Sequence, residues 1–167
     1  MPRVVPSLET LYRWIPWRRE TSSQARAAAL RTASLWQARE FLLLHVDATK
    51  PTHTVADGIA SAMTIVNATI SEELLSGYFS HALNIDFTRS NLFELSTLAS
   101  EQGLIREATF DEIQKLRAAR NDIAHADRNR AAMVTSLPLD SKQLSTRAHS
   151  RIPTTIAREL RSHAKQR

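Results

Sequence analysis

Residues 113–125 read IQKLRAARNDIAH and predict an amphipathic helix in the second half of the chain. Strong helix formers dominate the run, and neither glycine nor proline interrupts it. At about 100° per residue, Leu116 and Ile123 fall close to Ile113 in a narrow apolar stripe. Arg120 falls inside the same stripe, where a charge is costly unless it is paired or the face is an interface cleft. The stretch therefore predicts a core helix whose arginine needs a partner.

Two polar residues lie on the flank of this helix. Asn121 and His125 are one turn apart, at about 80° and 120° from Ile113. Arg120 and His125 therefore do not stack on one helix face. Three arrangements would bring them together: the reach of the arginine, a local bend, or two copies of the helix in a dimer. The dimer follows if the apolar stripe is a subunit interface, because symmetry doubles every residue around a shared cleft.

The remaining sequence predicts further helices, because only three glycines occur in 167 residues and helix formers dominate the middle of the chain. Capping boxes are expected at Asn91–Glu94 and Thr109–Glu112, and Gly103 is expected just past a helix end. The predicted helices run from Ser7 to Arg13, Ser22 to about Val46, Thr54 to about Leu83, Asn91 to Gln102, and Thr109 to about Met133.

These elements predict an all-α fold with four main helices and an extra N-terminal helix. We expect residues 1–135 to form the helical domain and residues 136–167 to be a basic, loosely attached C-terminal segment. A short helix begun by Pro153 fits within that segment. Trp14 and Trp17 are expected to pack on the main body or a partner subunit; a base-stacking platform is the alternative.

Positive charge concentrates at the C-terminus. The chain carries a net charge of +5, but residues 128–167 alone carry +7, from nine Lys/Arg and two acidic residues. A basic tail behind a near-neutral domain favours attraction to a polyanion such as RNA or DNA. A solubilising tail without a specific ligand explains the same charge.

Composition excludes several kinds of site. The chain has no cysteine, which rules out disulfides, thiolate catalysis and zinc bound by sulfur. The histidines form no HExxH-like pair, and no acidic cluster has metal-ligand spacing, so no metal is expected. The longest apolar run, residues 41–46, is too short to cross a bilayer. We therefore expect no membrane association and a cytoplasmic protein.

The stretch from Arg120 to His125 reads RNDIAH and resembles the R-x4-6-H motif of the HEPN superfamily, including the polar residue after the arginine. Its position also fits, late in an all-α domain and after a shorter helix with a glycine-containing turn. The similarity to HEPN toxins and abortive-infection ribonucleases covers roughly residues 54–127. The resemblance implies a HEPN-like bundle.

The same resemblance implies metal-independent RNA cleavage, without a cofactor, in a cleft formed by a homodimer. The ribose 2′-OH would attack the adjacent phosphate and leave a 2′,3′-cyclic phosphate and a 5′-OH. His125 is the expected general base or acid. Arg120 is expected to stabilise the charge on the phosphate, and Asn121 to orient the phosphate or the imidazole.

Four further residues are expected to position Arg120 or to bind the RNA. Glu73 continues the apolar stripe of the second long helix and is expected to pair with Arg120 or Arg117. Arg117 would add a phosphate contact, or else lie on a solvated face. Arg128 and Arg130, which open the basic segment, are the predicted RNA-binding residues.

Two features bear on partners. The toxin type of HEPN protein implies an antitoxin protein as a further partner. Some HEPN toxins extend the motif with a tyrosine that a partner antitoxin modifies, but Asp127 occupies that position here. That mode of neutralisation is therefore not expected.

Two other interpretations fit the sequence. A non-catalytic HEPN-like module would dimerise through the same helix and bind nucleic acid or protein. For Arg120, Asn121 and His125 themselves, the alternative to catalysis is a structural hydrogen-bond network at a helix interface. A helical regulatory protein would bind through its basic tail alone.

Overall fold

The computed structural model describes residues 4–49, 53–85, 90–130 and 150–165, with side chains described within 4–45, 58–85, 90–125 and 150–165. All regular structure in these ranges is helical, so the predicted all-α class is confirmed for them. The elements are α1 (Leu8–Tyr12), α2 (Ser23–Thr49), α3 (His53–Gly77), α4 (Leu92–Glu101), α5 (Glu107–Arg130) and α6 (Ile152–Ala164), and a five-residue π-helical turn, the π-turn, follows α3 at Tyr78–Ala82.

Helix α3 is the centre of the bundle. It packs against α2, α4, α5 and α6, and it runs directly into the π-turn. Its buried residues include Ile70, Leu74 and Leu75, which meet side chains of all the surrounding helices in one apolar core. Burial of these side chains contributes roughly 1.5–3 kcal/mol each. The core is therefore continuous from α1 to α6.

The N-terminal tryptophans belong to this core. Trp17 is 1% exposed, and Trp14 meets Trp36 of α2 edge to face with ring centroids 5.6 Å apart. The prediction that they pack on the main body is confirmed. Burial leaves the Trp17 ring with no face for a base to stack on.

The second long helix changes character near its end. The predicted helix from Thr54 to about Leu83 is α-helical only to Gly77, after which Leu83 N–H donates to Tyr78 C=O at 3.2 Å, five residues back. The Trp17 ring packs so closely on Gly77 that a side-chain carbon there would overlap it. The periodic sequence pattern holds no sign of this long-range contact.

The ends of α4 agree with the sequence. Asn91 accepts from the N–H groups of Phe93 and Glu94, and the Glu94 carboxylate accepts from Asn91 N–H, so the predicted capping box is confirmed. Gly103 adopts φ +66° just past the helix, as the sequence predicts.

The predicted start of α5 is wrong. The helix begins at Glu107, so Thr109 lies inside it and caps nothing. A carboxylate from α6 takes the capping role: Glu159 accepts from Arg106 N–H at 3.2 Å and from the Thr109 hydroxyl at 3.0 Å. Glu159 is 8% exposed. A buried carboxylate at a helix N-terminus is stabilised by the free N–H groups and by the helix dipole.

The prediction of a loosely attached C-terminal segment is wrong for residues 152–164. They form α6, which starts with Pro153 as expected and buries Ile156, Ala157 and Leu160 in the core. The charged residues of this segment alternate with the apolar stripe of an amphipathic helix, and the stripe packs on α3 and α5. Residues 131–149, which include the predicted domain boundary at 135, lie outside the described residues.

Gly77→Ala tests the Trp17 packing. The added methyl group must displace the buried ring, so we expect the free energy of unfolding to fall by about 1–3 kcal/mol. Gly58→Ala is the matched control, because nothing lies within 4 Å of its added carbon in the same helix. There, replacing glycine in a helix should stabilise the protein by up to about 1 kcal/mol. Urea unfolding measures both; equal effects would contradict this packing.

His81 should make stability depend on pH. Burial lowers the pKa of His81 from its ordinary value of 6.5, with Glu20 opposing and Arg31 adding to the effect. The unfolded chain therefore binds the proton more readily than the folded protein. The stability that neutral His81 contributes is complete above the pKa of the unfolded chain. It is lost as the pH falls through the lower pKa of the folded protein. In urea unfolding at about pH 8 and about pH 5, His81→Gln should lose less stability than wild type on acidification; an equal loss would contradict it.

Candidate functional site

Arg120 bonds to α3 across the α3–α5 interface. Its Nη1 atom donates to Glu72 Oε2 at 3.0 Å, and 40% of its side chain and 31% of the Glu72 side chain are exposed. The sequence places Arg120 in a buried stripe, but the stripe is buried only at Ile113 and Leu116 and emerges at Ile123. The arginine therefore satisfies its charge by pairing at the rim of the core.

The ion pair uses a small part of the guanidinium. An arginine carries five N–H donors in a planar fork, and one of them meets Glu72. Among the described residues, no other acceptor bonds to Arg120. The half-exposed guanidinium thus has one donor held by the carboxylate and further donors that no described residue occupies.

The predicted carboxylate partner is wrong by one residue. Glu73 points to α2, where its Oε2 accepts from Arg31 Nη2 at 3.4 Å. It bonds to neither Arg120 nor Arg117. Glu72, the neighbour of the predicted Glu73, is the partner instead, because adjacent residues on a helix project about 100° apart.

Asn121 and His125 lie on the exposed flank of α5. Both side chains are exposed, and neither bonds to another side chain among the described residues. The structural hydrogen-bond network considered for all three motif residues is therefore limited to Arg120 and Glu72. Within one chain, Arg120 and His125 project about 140° apart on an ideal helix. Helix α5 thus carries an exposed amide and an exposed imidazole on one flank, and the paired guanidinium of Arg120 on another side.

Arg117 is occupied by contacts within the protein. Its Nε donates to Gln114 Oε1 at 3.1 Å, and its guanidinium lies 5.1 Å from the centroid of the Phe93 ring. Such a cation–π contact is worth about 0.5–1 kcal/mol at an exposed site. Gln114 in turn donates to Ser96 at 2.9 Å, which ties this part of α5 to α4.

The other predicted residues are described only in part. The backbone of α5 includes Arg128 and Arg130, but their side chains, like that of Asp127, lie outside the described residues.

The described residues contain neither a metal-binding cluster nor a membrane-spanning helix. No group of three or more His, Asp or Glu side chains there could hold a metal ion. No helix within the described ranges combines the length and the apolar character needed to cross a membrane.

A double-mutant cycle tests the identity of the Arg120 partner. Glu72→Gln and Arg120→Gln should couple by about 0.2–1 kcal/mol, the range for a partly exposed pair. Glu73→Gln is the matched control on the neighbouring residue and should show no coupling to Arg120→Gln. Urea unfolding of the single and double variants measures both energies, and coupling to Glu73 instead would refute the assignment.

The comparisons with known proteins leave the family open. No family model matches the chain, and no curated protein or solved structure matches it either. The resemblance to the HEPN superfamily therefore rests on residues 120–125 and their helical context, and function has to be argued from the arrangement around Arg120.

Proposed function

We propose that this protein is a metal-independent endoribonuclease of the HEPN type that acts as a toxin or defence effector. One observation carries the proposal: Arg120 is held by Glu72 while 40% of its side chain stays exposed, on the same helix as the exposed Asn121 and His125. A guanidinium positioned in this way suits a phosphate, because its fork matches two phosphate oxygens.

The proposed chemistry needs a base, an acid and a group that stabilises charge. His125 takes the proton from the ribose 2′-OH as the oxygen attacks the adjacent phosphorus. The bond from phosphorus to the 5′ oxygen breaks, and that oxygen takes a proton from an imidazolium. The products are a 2′,3′-cyclic phosphate and a 5′-OH. Arg120 stabilises the additional negative charge of the transition state, where a fixed donor is most effective.

The proposal includes a homodimer. Arg120 and His125 lie on different sides of one helix, so a second copy of α5 is needed to complete a cleft with base, acid and arginine. Ile123, half-buried, and Ala124, exposed, flank the Arg120 face in the projection of the helix and supply an apolar surface for that contact. RNA is the substrate, and an antitoxin protein that covers this face is the proposed regulator.

The same ion pair favours one alternative. If the Arg120–Glu72 pair serves only to join α3 to α5, the protein is a non-catalytic HEPN-like module that binds nucleic acid or protein. This alternative predicts binding without turnover.

Cleavage in the presence of EDTA tests the proposal. Purified protein should convert a labelled single-stranded RNA to fragments ending in a cyclic phosphate. His125→Ala should lower the rate by roughly a hundredfold or more, the usual contribution of general acid–base catalysis. Arg120→Lys should also lower it, because an ammonium group keeps the charge but loses the fork.

His163→Ala is the matched control, because His163 lies on α6, outside the candidate site. It should cleave at the wild-type rate. Circular dichroism and the sedimentation mass verify that each variant keeps its fold and its assembly state. Undiminished cleavage by folded His125→Ala and Arg120→Ala would refute the proposal, and the absence of turnover in wild type would favour the non-catalytic module.

A further inference from the structure

A strongly basic cleft lies between α6 and the loop that follows α1. Its volume is about 610 Å³, within the usual range of ligand sites. Glu20 is the one acidic residue in its lining. The lining carries five cations: Arg18, Arg19, Arg158, Arg161 and Lys165. None of them belongs to the candidate site on α5.

None of these five cations has an acidic partner in the part of the chain that the structure describes. Among the described residues, no carboxylate lies within 4.0 Å of any of the five. Two of them are nevertheless held in place by backbone carbonyls: Arg18 Nη1 donates to Ile15 C=O at 3.2 Å, and Arg161 Nε donates to Ala157 C=O at 3.3 Å. The cleft thus combines two positioned guanidinium groups with an excess of positive charge, five cations against Glu20.

The cations on the two walls are close enough to affect each other. The pKa of Arg18 is lowered by burial first, and then by the charges of Arg19 and Arg161. Arg161 belongs to α6, whereas Arg18 belongs to the loop after α1, so the repulsion acts across the cleft. Such repulsion costs free energy in the empty cleft, and an anion between the walls relieves it.

The arrangement along α6 indicates which anion fits. Arg158, Arg161 and Lys165 follow one another at spacings of three and four residues, which places them in a row on one helix face. At 1.5 Å per residue the row spans roughly 10 Å, more than a single phosphate group occupies. Successive phosphates of a chain would meet successive cations.

The lining offers little to read a base. Its only aromatic residue, Tyr78, is 1% exposed and therefore presents no ring face for stacking. Recognition of single-stranded nucleic acid by base usually needs exposed aromatic rings, whereas recognition of its backbone needs only placed cations. A cleft of about 610 Å³ has room for a short stretch of one strand and not for a whole duplex.

We propose that this cleft binds the phosphate backbone of a single nucleic-acid strand, without selecting its bases. The site is separate from Arg120 and His125, and its binding function does not require the protein to be a nuclease.

The test measures binding of the full-length protein to labelled oligodeoxythymidine by fluorescence anisotropy over a range of salt concentrations. This strand lacks the 2′-OH and cannot be cleaved by the chemistry proposed above, so binding is read independently of catalysis. We expect the logarithm of the binding constant to fall linearly with the logarithm of salt concentration. Arg158→Gln and Lys165→Gln should each reduce that slope by about 0.7, and the double variant should weaken binding about tenfold at low salt.

Lys115→Gln is the matched control, because it removes one exposed positive charge outside the cleft. Lys115→Gln should change neither the slope nor the affinity appreciably. In a separate measurement, oligouridine should bind a His125→Ala variant with about the affinity of oligodeoxythymidine. Three results would each overturn the proposal: an equal effect of Lys115→Gln, competition by polyglutamate as strong as by oligonucleotide, or tripolyphosphate binding as tightly as the strand. If the wild-type protein does not cleave RNA but the cleft variants still bind oligodeoxythymidine more weakly than wild type, only the proposed nuclease activity is refuted.

Discussion

Arg39 lies inside the bundle with 2% of its surface exposed, and its guanidinium connects three parts of the chain. Its Nε donates to Asn67 Oδ1 of α3 at 2.7 Å, its Nη2 donates to Ser150 C=O just before α6, and its Nη1 pairs with Glu40. A charge removed from water is tolerated only when its donors are met. Helices α2 and α3 and the start of α6 therefore have to assemble together, because loss of any one leaves a buried donor unpaired.

The position of α6 in turn affects both candidate functional surfaces, the site on α5 and the basic cleft. Its inner face brings Glu159 to the N-terminus of α5, and its outer face carries Arg158, Arg161 and Lys165 into the basic cleft. Helix α5 is then held at its start by Glu159 and further along by the Glu72–Arg120 pair. A helix anchored at two separated points holds Asn121 and His125 at a defined distance from the core.

The helices of the fold are largely predictable from the sequence because their signals are local. The Asn91–Glu94 capping box and Gly103 act within a few residues of each other, and both are found as predicted. The misassigned start of α5 has the opposite origin. Glu159 lies 50 residues from Thr109 along the chain, and no helical period or capping pattern connects them.

The candidate site was predictable in part for the same reason. The periodicity of α5 predicted that Arg120 is either paired or part of an interface cleft, and within the chain it pairs with Glu72 of α3. The choice between Glu72 and Glu73 required extrapolating a 100° step over about five turns of α3, where a small error per residue accumulates. Arg39 was missed because its partners, Asn67 and the carbonyl of Ser150, have no pattern in common with it.

The two candidate surfaces treat positive charge differently. At Arg120 the fold supplies a carboxylate, so the arginine is fixed at little electrostatic cost before any ligand arrives. In the basic cleft, no described carboxylate lies within ion-pair distance of the five cations, and the charges of Arg19 and Arg161 repel that of Arg18. An anion that enters the cleft binds only the folded protein, since the unfolded chain does not hold α6 against the loop after α1. Anion binding and unfolding are then thermodynamically linked, and the free energy gained by the ligand adds directly to the stability of the bundle.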